Sequence, residues 1–207
     1  LALIDRIRTQ GVSKYNLTGQ TLPHLPEGHR ILVPGQVEDD ASIRKGAGAV
    51  RTNLGLLRAA RAANPHAVLI YKPHPDVEAG LRPGAIAHAD LVGLVDFTAA
   101  HANPVALLAN VQEVWTMTSL LGFEALIRGI PVTCLGAPFY AGWGLTRDLF
   151  PEPSRRKARP SLAALAHAAL IAYPRYRDPV SGLPCPPEVA VERLARREVP
   201  KPGKANR

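Results

Sequence analysis

Short apolar runs alternate with helix-patterned segments through the middle of this 207-residue chain. The runs predict strands at Ile31–Val33, Val68–Tyr71, Leu91–Val95, Val114–Met117 and Val132–Leu135. Between the first two runs, residues 49–63 are rich in Leu, Ala and Arg at helical spacing, and Asn64-Pro65 ends the predicted helix. Strands that alternate with helices predict an α/β fold with a parallel sheet covered by helices on both faces.

Further helical patterns lie around this strand-rich region. They cover residues 1–10, 104–110, 161–172 and 187–197, and another begins at Thr118-Ser119 with an apolar stripe at Phe123, Leu126, Ile127 and Ile130. After Phe150 the chain becomes basic and rich in proline. We therefore predict three parts: an N-terminal helix end and linker at 1–28, the sheet domain at 29–150, and a basic, proline-rich extension with helices at 151–207.

Polar or glycine-rich segments follow four of the five predicted strands. They are Pro34–Asp40, Lys72–Asp76, Thr118–Ser119 and Ala137–Gly144. Ligands of open parallel sheets bind outside the carboxyl ends of the strands. The four loops therefore predict one site at one edge of the sheet.

The first loop carries three adjacent carboxylates, Glu38, Asp39 and Asp40. Such a cluster suits a metal ligand set, a general base or a nucleophile. The structural alternative is that Asp40 begins a helix through Ala41-Ser42-Ile43, because acidic groups suit a helix N-terminus. The position directly after the first strand favours the functional interpretation.

The second loop places Lys72 and His74 among prolines. Pro73 and Pro75 fix two backbone angles and remove two N–H donors, so the loop is stiff. A rigid loop that presents a lysine and a histidine together suits a phosphate or a carboxylate. The other histidines, His101 among them, lack such a context and are not predicted to lie in the site.

The last two loops and the helix between them supply hydroxyls, a carboxylate and aromatic rings. Thr118 and Ser119 begin a predicted helix and suit a phosphate, although they would cap the helix in any case. Glu124, in the early turns, either accepts hydrogen bonds from a ribose diol or faces solvent. Tyr140 and Trp143 lie among glycines and either shape a loop around a flat ligand or pack on the core.

The composition narrows the class of protein. The chain is 46% hydrophobic and 20% charged, as in soluble globular proteins, and no apolar run approaches the roughly 20 residues that cross a bilayer. There is no G-x-x-x-x-G-K-[ST] segment, and Gly46-Ala47-Gly48 lacks the third glycine of a dinucleotide motif. No Cys/His metal spacing is present, and the isolated Cys134 and Cys185 predict a reducing compartment.

Almost all of the net charge of +8 lies in the C-terminal part of the chain. From Glu152 onward there are 12 Lys and Arg against 5 Asp and Glu, whereas the preceding residues hold 13 against 12. Such a basic tail either contacts anionic lipid or polymer or is a solvated face. With 5% aromatic residues there is no stacking platform, so we predict no nucleic-acid partner.

Four segments together resemble one family, the capsule polysaccharide biosynthesis/export family of the KpsC/LipB type. They are Gly35–Ile43, Tyr71–Val77, Thr118–Leu126 and Pro138–Thr146. The resemblance covers about residues 13–187. Four motifs in the same order make it highly specific.

The resemblance implies a retaining β-Kdo glycosyltransferase that uses CMP-Kdo to build the Kdo linker of a Gram-negative capsule. It implies a GT-B architecture, of which this chain is the Rossmann-like, CMP-binding half. The acceptor-binding half would lie upstream of Leu1. The implied partners are the CMP-sugar donor, a lipid-linked Kdo acceptor, and the inner-membrane surface or the capsule export machinery. The implied location is the cytoplasm, peripheral to the inner membrane, and no metal or cofactor is implied.

The resemblance also implies roles for individual residues. His74-Pro75 and the pair Thr118 and Ser119 would contact the CMP phosphate, and Glu124 would bind the ribose. Asp40 is the first choice for the nucleophile, while Asp39 and Glu38 are second choices, as base or orienting groups. Lys72 would hold the Kdo carboxylate or the phosphate. The remaining residues assigned to substrate binding are Gln36, Tyr140 and Trp143.

Two other functions fit the same residues. One is a non-catalytic module that binds a nucleotide sugar or polysaccharide in a capsule export assembly and docks through the basic tail. The other is a nucleotide-sugar epimerase of the same two-domain fold, which would favour a UDP-sugar over CMP.

Overall fold

A computed structural model describes residues 2–14, 22–151 and 153–197. The described chain divides into two compact units, one within residues 18–160 and one formed by its two ends, within residues 1–17 and 161–207. The predicted linker residues 15–21 and the end of the basic tail, 198–207, lie outside the described residues. The boundaries predicted at residues 28 and 150 remain predictions about domain organisation.

The central unit contains a six-stranded sheet and six helices among its described residues. The strands are β1 (Arg30–Pro34), β2 (Val68–Lys72), β3 (Phe97–Thr98), β4 (Glu113–Thr116), β5 (Val132–Cys134) and β6 (Arg147–Asp148). The helices are α2 (Ala41–Gly46), α3 (Asn53–Ala63), α4 (Pro75–Glu78), α5 (His88–Leu91), α6 (Pro104–Leu108) and α7 (Leu120–Leu126).

The sheet is parallel throughout, with the strand order β3-β2-β1-β4-β5-β6. At its centre, Leu32 pairs with Ile70 of β2 on one side and with Val114 of β4 on the other. This arrangement confirms the predicted α/β fold with a parallel sheet. Buried β-branched and aliphatic side chains on the central strands explain why they form continuous apolar runs in the sequence.

In helix α3 the apolar residues at helical spacing form the buried face of the helix. Thr52 caps it by accepting a hydrogen bond from the Gly55 amide at 3.1 Å. The buried positions are Asn53, Leu56, Leu57 and Ala60, which share one face at the spacing of an amphipathic helix. The two leucines are fully buried, and burial of each contributes about 1.5–3 kcal/mol. The helix begins at Asn53, later than the predicted Ala49, because the cap is at Thr52.

The predicted strand Leu91–Val95 is wrong. Leu91 ends helix α5, Gly93 has a left-handed φ of 73°, and the short strand β3 follows only at Phe97. Leu91, Leu94 and Val95 pack as partly buried side chains against the core, whereas Val92 is exposed. A short apolar run of this kind has the same composition in a strand, a turn or a helix end, so its pattern alone misled.

The second unit combines helices from both chain ends with a small hairpin. Its elements are α1 (Ala2–Thr9), α8 (Leu162–His167), a π-helical turn (Ala168–Ala172), the antiparallel strands β7 (Tyr176–Arg177) and β8 (Pro184–Cys185), and α9 (Pro187–Ala195). The predicted cap at Ser161 is confirmed, since its hydroxyl accepts a hydrogen bond from the Ala164 amide. Within the ranges that the structure describes, no helix has both the length and the apolar character of a membrane span.

Candidate functional site at the carboxyl edge of the sheet

Strand β1 lies between β2 and β4, so the chain direction across the sheet reverses there. From β1 the chain proceeds to β2 and β3 on one side and then returns to β4 on the other. Open α/β sheets bind their ligands at such a point, outside the carboxyl ends of the strands. The candidate residues cluster in the loops around this point.

Gln36 joins the first loop to the third. Its side-chain amide donates to Thr118 Oγ1 at 2.8 Å, and its Oε1 accepts from the backbone amides of Thr118 and Met117 at 3.0 and 3.2 Å. The residue is buried, and Thr116 Oγ1 also donates to it at 3.1 Å. Gln36 is thus a cross-link inside the site, and its predicted contact with substrate stays a prediction.

Asn53 supports the same loop from below and was missed by the sequence prediction. Its Oδ1 accepts from the Gln36 amide, and its Nδ2 donates to the carbonyls of Gln36 and Gly84, each at 2.8 Å. Gly84 has a φ of 130°, and a Cβ there would lie 2.8 Å from the Gln36 carbonyl oxygen. The sequence signal that could have identified Asn53 is an asparagine on the apolar face of a Leu- and Ala-rich helix.

Each carboxylate of the first loop has a partner in the protein. Asp40 caps α2, with Oδ1 accepting from the Ser42 amide at 2.8 Å, as the structural alternative predicted. Asp39 pairs with Arg82 at 2.6 Å on the exposed surface. Glu38 Oε1 accepts from the Asn53 amide at 2.7 Å. Capping does not remove Asp40 from the site, because Asp40 is exposed and Ser42, in the same helix, contacts Thr118 Oγ1 at 3.3 Å.

The second loop adjoins the first through Gly35. The Gly35 amide donates to the Lys72 carbonyl at 2.7 Å, and a Cβ on this glycine would lie 3.1 Å from Pro73 Cα. His74 caps the short helix α4, which Pro75 begins, and its Nδ1 accepts from the Asp76 amide at 3.2 Å. Because Nδ1 accepts in this contact, the proton of the neutral imidazole belongs on Nε2.

The Lys72 ammonium is turned inward beside Glu78. The residue is only 5% exposed, and its Nζ lies 4.0 Å from Glu78 Oε2. Burial lowers the pKa of Lys72, and the nearby Glu78 carboxylate counteracts this shift. Glu78 also accepts a hydrogen bond from the His101 amide at 2.8 Å. Sequence reasoning set His101 aside and did not single out Glu78, because only the fold brings them to Lys72.

The third loop presents the two predicted hydroxyls. Ser119 caps α7, with Oγ accepting from the Leu121 amide at 3.2 Å, while Thr118 is buried and its Oγ1 accepts from the Gln36 side-chain amide. Helix α7 has only seven residues, so the hydroxyls and not a long helix dipole are the relevant groups. Glu124 is 7% exposed, which overturns the solvent-facing alternative.

The fourth loop is held in place by buried groups. Tyr140 is fully buried, and its hydroxyl donates to the Ser119 carbonyl, so this side chain packs in the core as the structural alternative predicted. Trp143 is half-buried, donates to the Phe139 carbonyl at 2.7 Å and lies under the Arg156 guanidinium at 5.6 Å. Arg156, which sequence reasoning missed, donates to the carbonyls of Pro138 and Ala141, each at 2.6 Å.

The structure thus brings the four predicted loops into contact at one edge. Gln36 connects the first loop to the third, Gly35 connects the first to the second, and Tyr140 connects the fourth to Ser119. The edge combines a buried ammonium, an imidazole, hydroxyls and carboxylates. Such a set can hold an anionic ligand and present a carboxylate oxygen to it. The roles of the individual residues stay predictions.

A parallel sheet with this strand order, and polar loops at the point where the order reverses, defines a Rossmann-like α/β domain. A family model described as "Capsule polysaccharide biosynthesis protein" matches residues 6–176. The chain therefore belongs to the capsule polysaccharide biosynthesis protein family, which confirms the predicted family.

Two curated relatives show the extent of this similarity. The capsule polysaccharide modification protein LipA of Neisseria meningitidis serogroup A is 49% identical over 200 residues, which are 96% of this chain and 28% of LipA. The lipopolysaccharide-processing protein LpsZ of Rhizobium meliloti is 48% identical over 177 residues, 84% of this chain and 40% of LpsZ. The chain thus spans less than half the length of either relative.

Two solved structures of Thermosulfurimonas dismutans KpsC share the fold. The β-Kdo 2,7 transferase superimposes with a TM-score of 0.79 at 38% sequence identity. The match covers 95% of this chain and 60% of the transferase chain. The β-Kdo 2,4 transferase gives a TM-score of 0.81 at 35% identity, with 94% of this chain and 61% of that chain covered. The structural neighbours are therefore Kdo transferases.

Proposed function

We propose that the chain is the donor-binding half of a retaining β-Kdo transferase module that uses CMP-Kdo to build the Kdo linker of a capsular polysaccharide. The observation that carries the proposal is the bridge from Gln36 to Thr118, which joins the carboxylate loop to the hydroxyl loop at the switch point of the sheet. The similarity to two KpsC Kdo transferases supports the choice of sugar.

The leaving group occupies the loops after β2 and β4 in this proposal. Thr118, Ser119 and His74 bind the CMP phosphate, and Glu124 accepts hydrogen bonds from the ribose. Tyr140 and Trp143 maintain the wall of the fourth loop. CMP is a good leaving group, so neutralising the phosphate charge matters more than strong acid catalysis.

Transfer proceeds by two displacements. First, an Asp40 carboxylate oxygen bonds to the anomeric carbon of Kdo, the bond from this carbon to the phosphate oxygen breaks, and CMP leaves with the electron pair. Next, the acceptor hydroxyl oxygen bonds to the same carbon, the Asp40 ester bond breaks, and the hydroxyl proton passes to a first-loop carboxylate, Glu38 or Asp39. Two inversions give net retention.

Binding of CMP to this chain, measured by calorimetry, tests the donor site. We expect wild type to bind CMP, and His74→Asn and Ser119→Ala to weaken binding about tenfold or more, because each loses a phosphate contact. His74→Asn retains a capping acceptor. Ser161→Ala is the matched control, since Ser161 also caps a helix but lies in the other unit. Absence of CMP binding, or equal losses in all three variants, would contradict the proposal.

The nucleophile has its own test in a longer protein that contains both halves of the module. Without acceptor, mass spectrometry should detect a Kdo adduct on the peptide containing Asp40. The Asp40→Asn variant should lack the adduct and remain folded, because Asn caps helices as well as Asp does. An adduct on another residue would refute the choice of Asp40.

The acceptor side belongs to the same proposal. The chain covers 28% of LipA and about 60% of the KpsC structures, so an acceptor-binding half is expected elsewhere in the parent protein. Its substrate would be a lipid-linked Kdo acceptor at the cytoplasmic side of the inner membrane. Neither a metal nor another cofactor enters the proposed reaction.

One observation favours a second function, a non-catalytic module that binds the nucleotide sugar. All three carboxylates of the first loop have structural partners, in the Ser42 amide, Arg82 and the Asn53 amide. Transfer activity that survives Asp40→Asn in the parent protein would support this function over the first.

A further inference from the structure

The buried ammonium of Lys72 and the exposed imidazole of His101 share one partner, Glu78. Glu78 Oε2 lies 4.0 Å from Lys72 Nζ and 3.8 Å from His101 Nδ1. Glu78 Oε1 accepts from the His101 backbone amide at 2.8 Å. One carboxylate on α4 therefore contacts the end of β2 and the segment that follows β3.

His101 has a left-handed backbone conformation, which residues other than glycine adopt uncommonly. Its φ is 53°, in the left-handed region, which is unfavourable for a residue with a Cβ. Its hydrogen bond to Glu78 holds this conformation, while its side chain is 73% exposed. Backbone strain of this kind concentrates at binding and active sites. A glycine at position 101 would adopt this conformation with less strain. The presence of a histidine there suggests that its imidazole has a function.

We propose that Glu78 is a positioning residue that couples Lys72 to His101, and that these two side chains form an anion-binding face of the donor site. This inference rests on the proposed function for the identity of the donor. The ligand group is a carboxylate or a phosphate, because both accept hydrogen bonds from an ammonium and an imidazole.

The charges around Lys72 fit this role. Glu78 is its acidic neighbour on α4, His74 lies in the loop between them, and His101 approaches from the segment after β3. Burial is the largest cause that raises the pKa of the nearby Tyr71 hydroxyl, and the carboxylates of Glu38, from the first loop, and Glu78 raise it further. Glu78 favours the charged form of the buried Lys72 ammonium, which can then bind an anionic group of the ligand.

The coupling between Glu78 and Lys72 can be tested without a ligand. Lysine side-chain NMR on the 207-residue chain measures the Lys72 pKa, with Lys72→Arg to assign the signal. Glu78→Gln should lower this pKa further, because desolvation is then no longer opposed, while Gln retains an acceptor for the His101 amide. Asp90→Asn, on the exposed helix α5, is the matched control and should leave the pKa unchanged. Equal pKa values in wild type and Glu78→Gln would overturn the coupling.

The anion-binding face is tested by calorimetry with CMP and with CMP-Kdo. His101→Gly removes the imidazole and relieves the left-handed backbone, so its Tm should not fall, but its affinity for CMP-Kdo should drop about threefold to tenfold. Unchanged affinity for both ligands would overturn the role of His101. A loss confined to CMP-Kdo assigns the contact to the sugar carboxylate, and an equal loss with CMP assigns it to the phosphate.

The pH dependence of binding completes the test. The affinity of Glu78→Gln for CMP-Kdo should decline at a lower pH than that of wild type, since Lys72 loses its proton earlier. Superimposable pH profiles would show that Glu78 has only a structural role. If wild type binds neither CMP nor CMP-Kdo, the proposed function fails, and the lysine titration still decides the coupling.

Discussion

A single amide side chain, Asn53, sets the path of the loop that carries the carboxylates. It binds both backbone groups of Gln36 and the carbonyl of Gly84, and it is only 1% exposed. Besides Asn53, the backbone hydrogen bond from the Glu38 amide to the Pro83 carbonyl joins the same two segments, at 3.2 Å. The position of the carboxylates therefore depends on a residue that lies 13 positions or more away in the sequence.

We expect Asn53→Ala to lower the free energy of unfolding by about 2–3 kcal/mol, because buried partners lose their hydrogen bonds and gain no water. Urea denaturation measures this loss. Asn110→Ala is the control, since Asn110 is exposed and its side chain donates one hydrogen bond, to the Ala106 carbonyl. Its effect should stay within about 0.5 kcal/mol. Equal effects of the two substitutions would contradict the role of Asn53.

Several individual residues could be assigned correctly from the sequence because their chemistry is local. Ser161 was predicted to cap a helix, and a helix start at Asp40 was the structural alternative to a functional role; both residues accept the corresponding capping hydrogen bonds. Ser119 does the same and is still a candidate phosphate ligand. A side-chain oxygen at a helix start serves both purposes, so the local sequence cannot separate a cap from a ligand.

Among the secondary-structure elements, α7 and the fourth loop are fitted to each other at Gly122. A Cβ on this glycine would lie 2.2 Å from the Tyr140 hydroxyl oxygen, which donates to the Ser119 carbonyl. The missing side chain thus allows Tyr140 to cross α7 and hold its first residues. The contact explains why a helix of seven residues contains a glycine.

Gly122→Ala should destabilise the protein by about 1–3 kcal/mol through overpacking, although Gly→Ala within a helix ordinarily stabilises by up to about 1 kcal/mol. The measurement is again equilibrium unfolding. Tyr140→Phe removes the oxygen in the shortest contact, so the double variant should be more stable than the sum of the single effects implies. A stabilised Gly122→Ala variant would show that Tyr140 moves away at no cost.

The elements were predicted most reliably where burial on both sides dictates composition. The central strands β1, β2, β4 and β5 lie within one or two residues of the predicted apolar runs. The edge of the sheet was not predicted well, because β3 has two residues, of which Phe97 is only half-buried and Thr98 is exposed. A short strand with little buried surface gives no apolar run in the sequence by which it could be predicted.

At the scale of the whole molecule, an ion pair makes the unit formed by the chain ends sensitive to pH. The unit formed by the chain ends contains a bidentate ion pair from Arg193 to Asp178, at 3.0 and 3.3 Å. The hydrogen bond from Arg193, followed by the one from the Val180 amide, lowers the pKa of Asp178 from 3.8 to about 2. A depressed carboxyl pKa stabilises the folded state above the unfolded pKa, and this stability is lost as the pH falls through the folded pKa.

We therefore expect the segment 176–195 to lose protection against hydrogen exchange between about pH 4 and pH 2, measured by mass spectrometry after correction for intrinsic rates. Asp178→Asn should be less protected at pH 6 and should show little further loss down to pH 2. Identical profiles for wild type and this variant would exclude Asp178 as the cause. Both tryptophans lie in the other unit, so tryptophan fluorescence reports on that unit separately.

The sequence by itself determined the fold class, the family and the four loops of the candidate site. Each of these depends on local patterns: apolar runs, strand-end polar clusters, and motifs such as Lys72-Pro73-His74-Pro75. The parallel sheet and the family match confirm the first two. The assignment of roles to Asp40, His74 and Ser119 remains a prediction that binding and adduct experiments must test.

Only the tertiary structure decided which distant side chains support and complete the site. Gln36 contacts Thr118 across 82 positions, Glu78 contacts His101 across 23, and Arg156 holds the fourth loop from outside the sheet. A buried polar group must find a hydrogen-bonding partner, but its own sequence neighbourhood does not specify where that partner lies. The order of the strands specifies where the partner lies, because it determines which loops meet at the edge of the sheet.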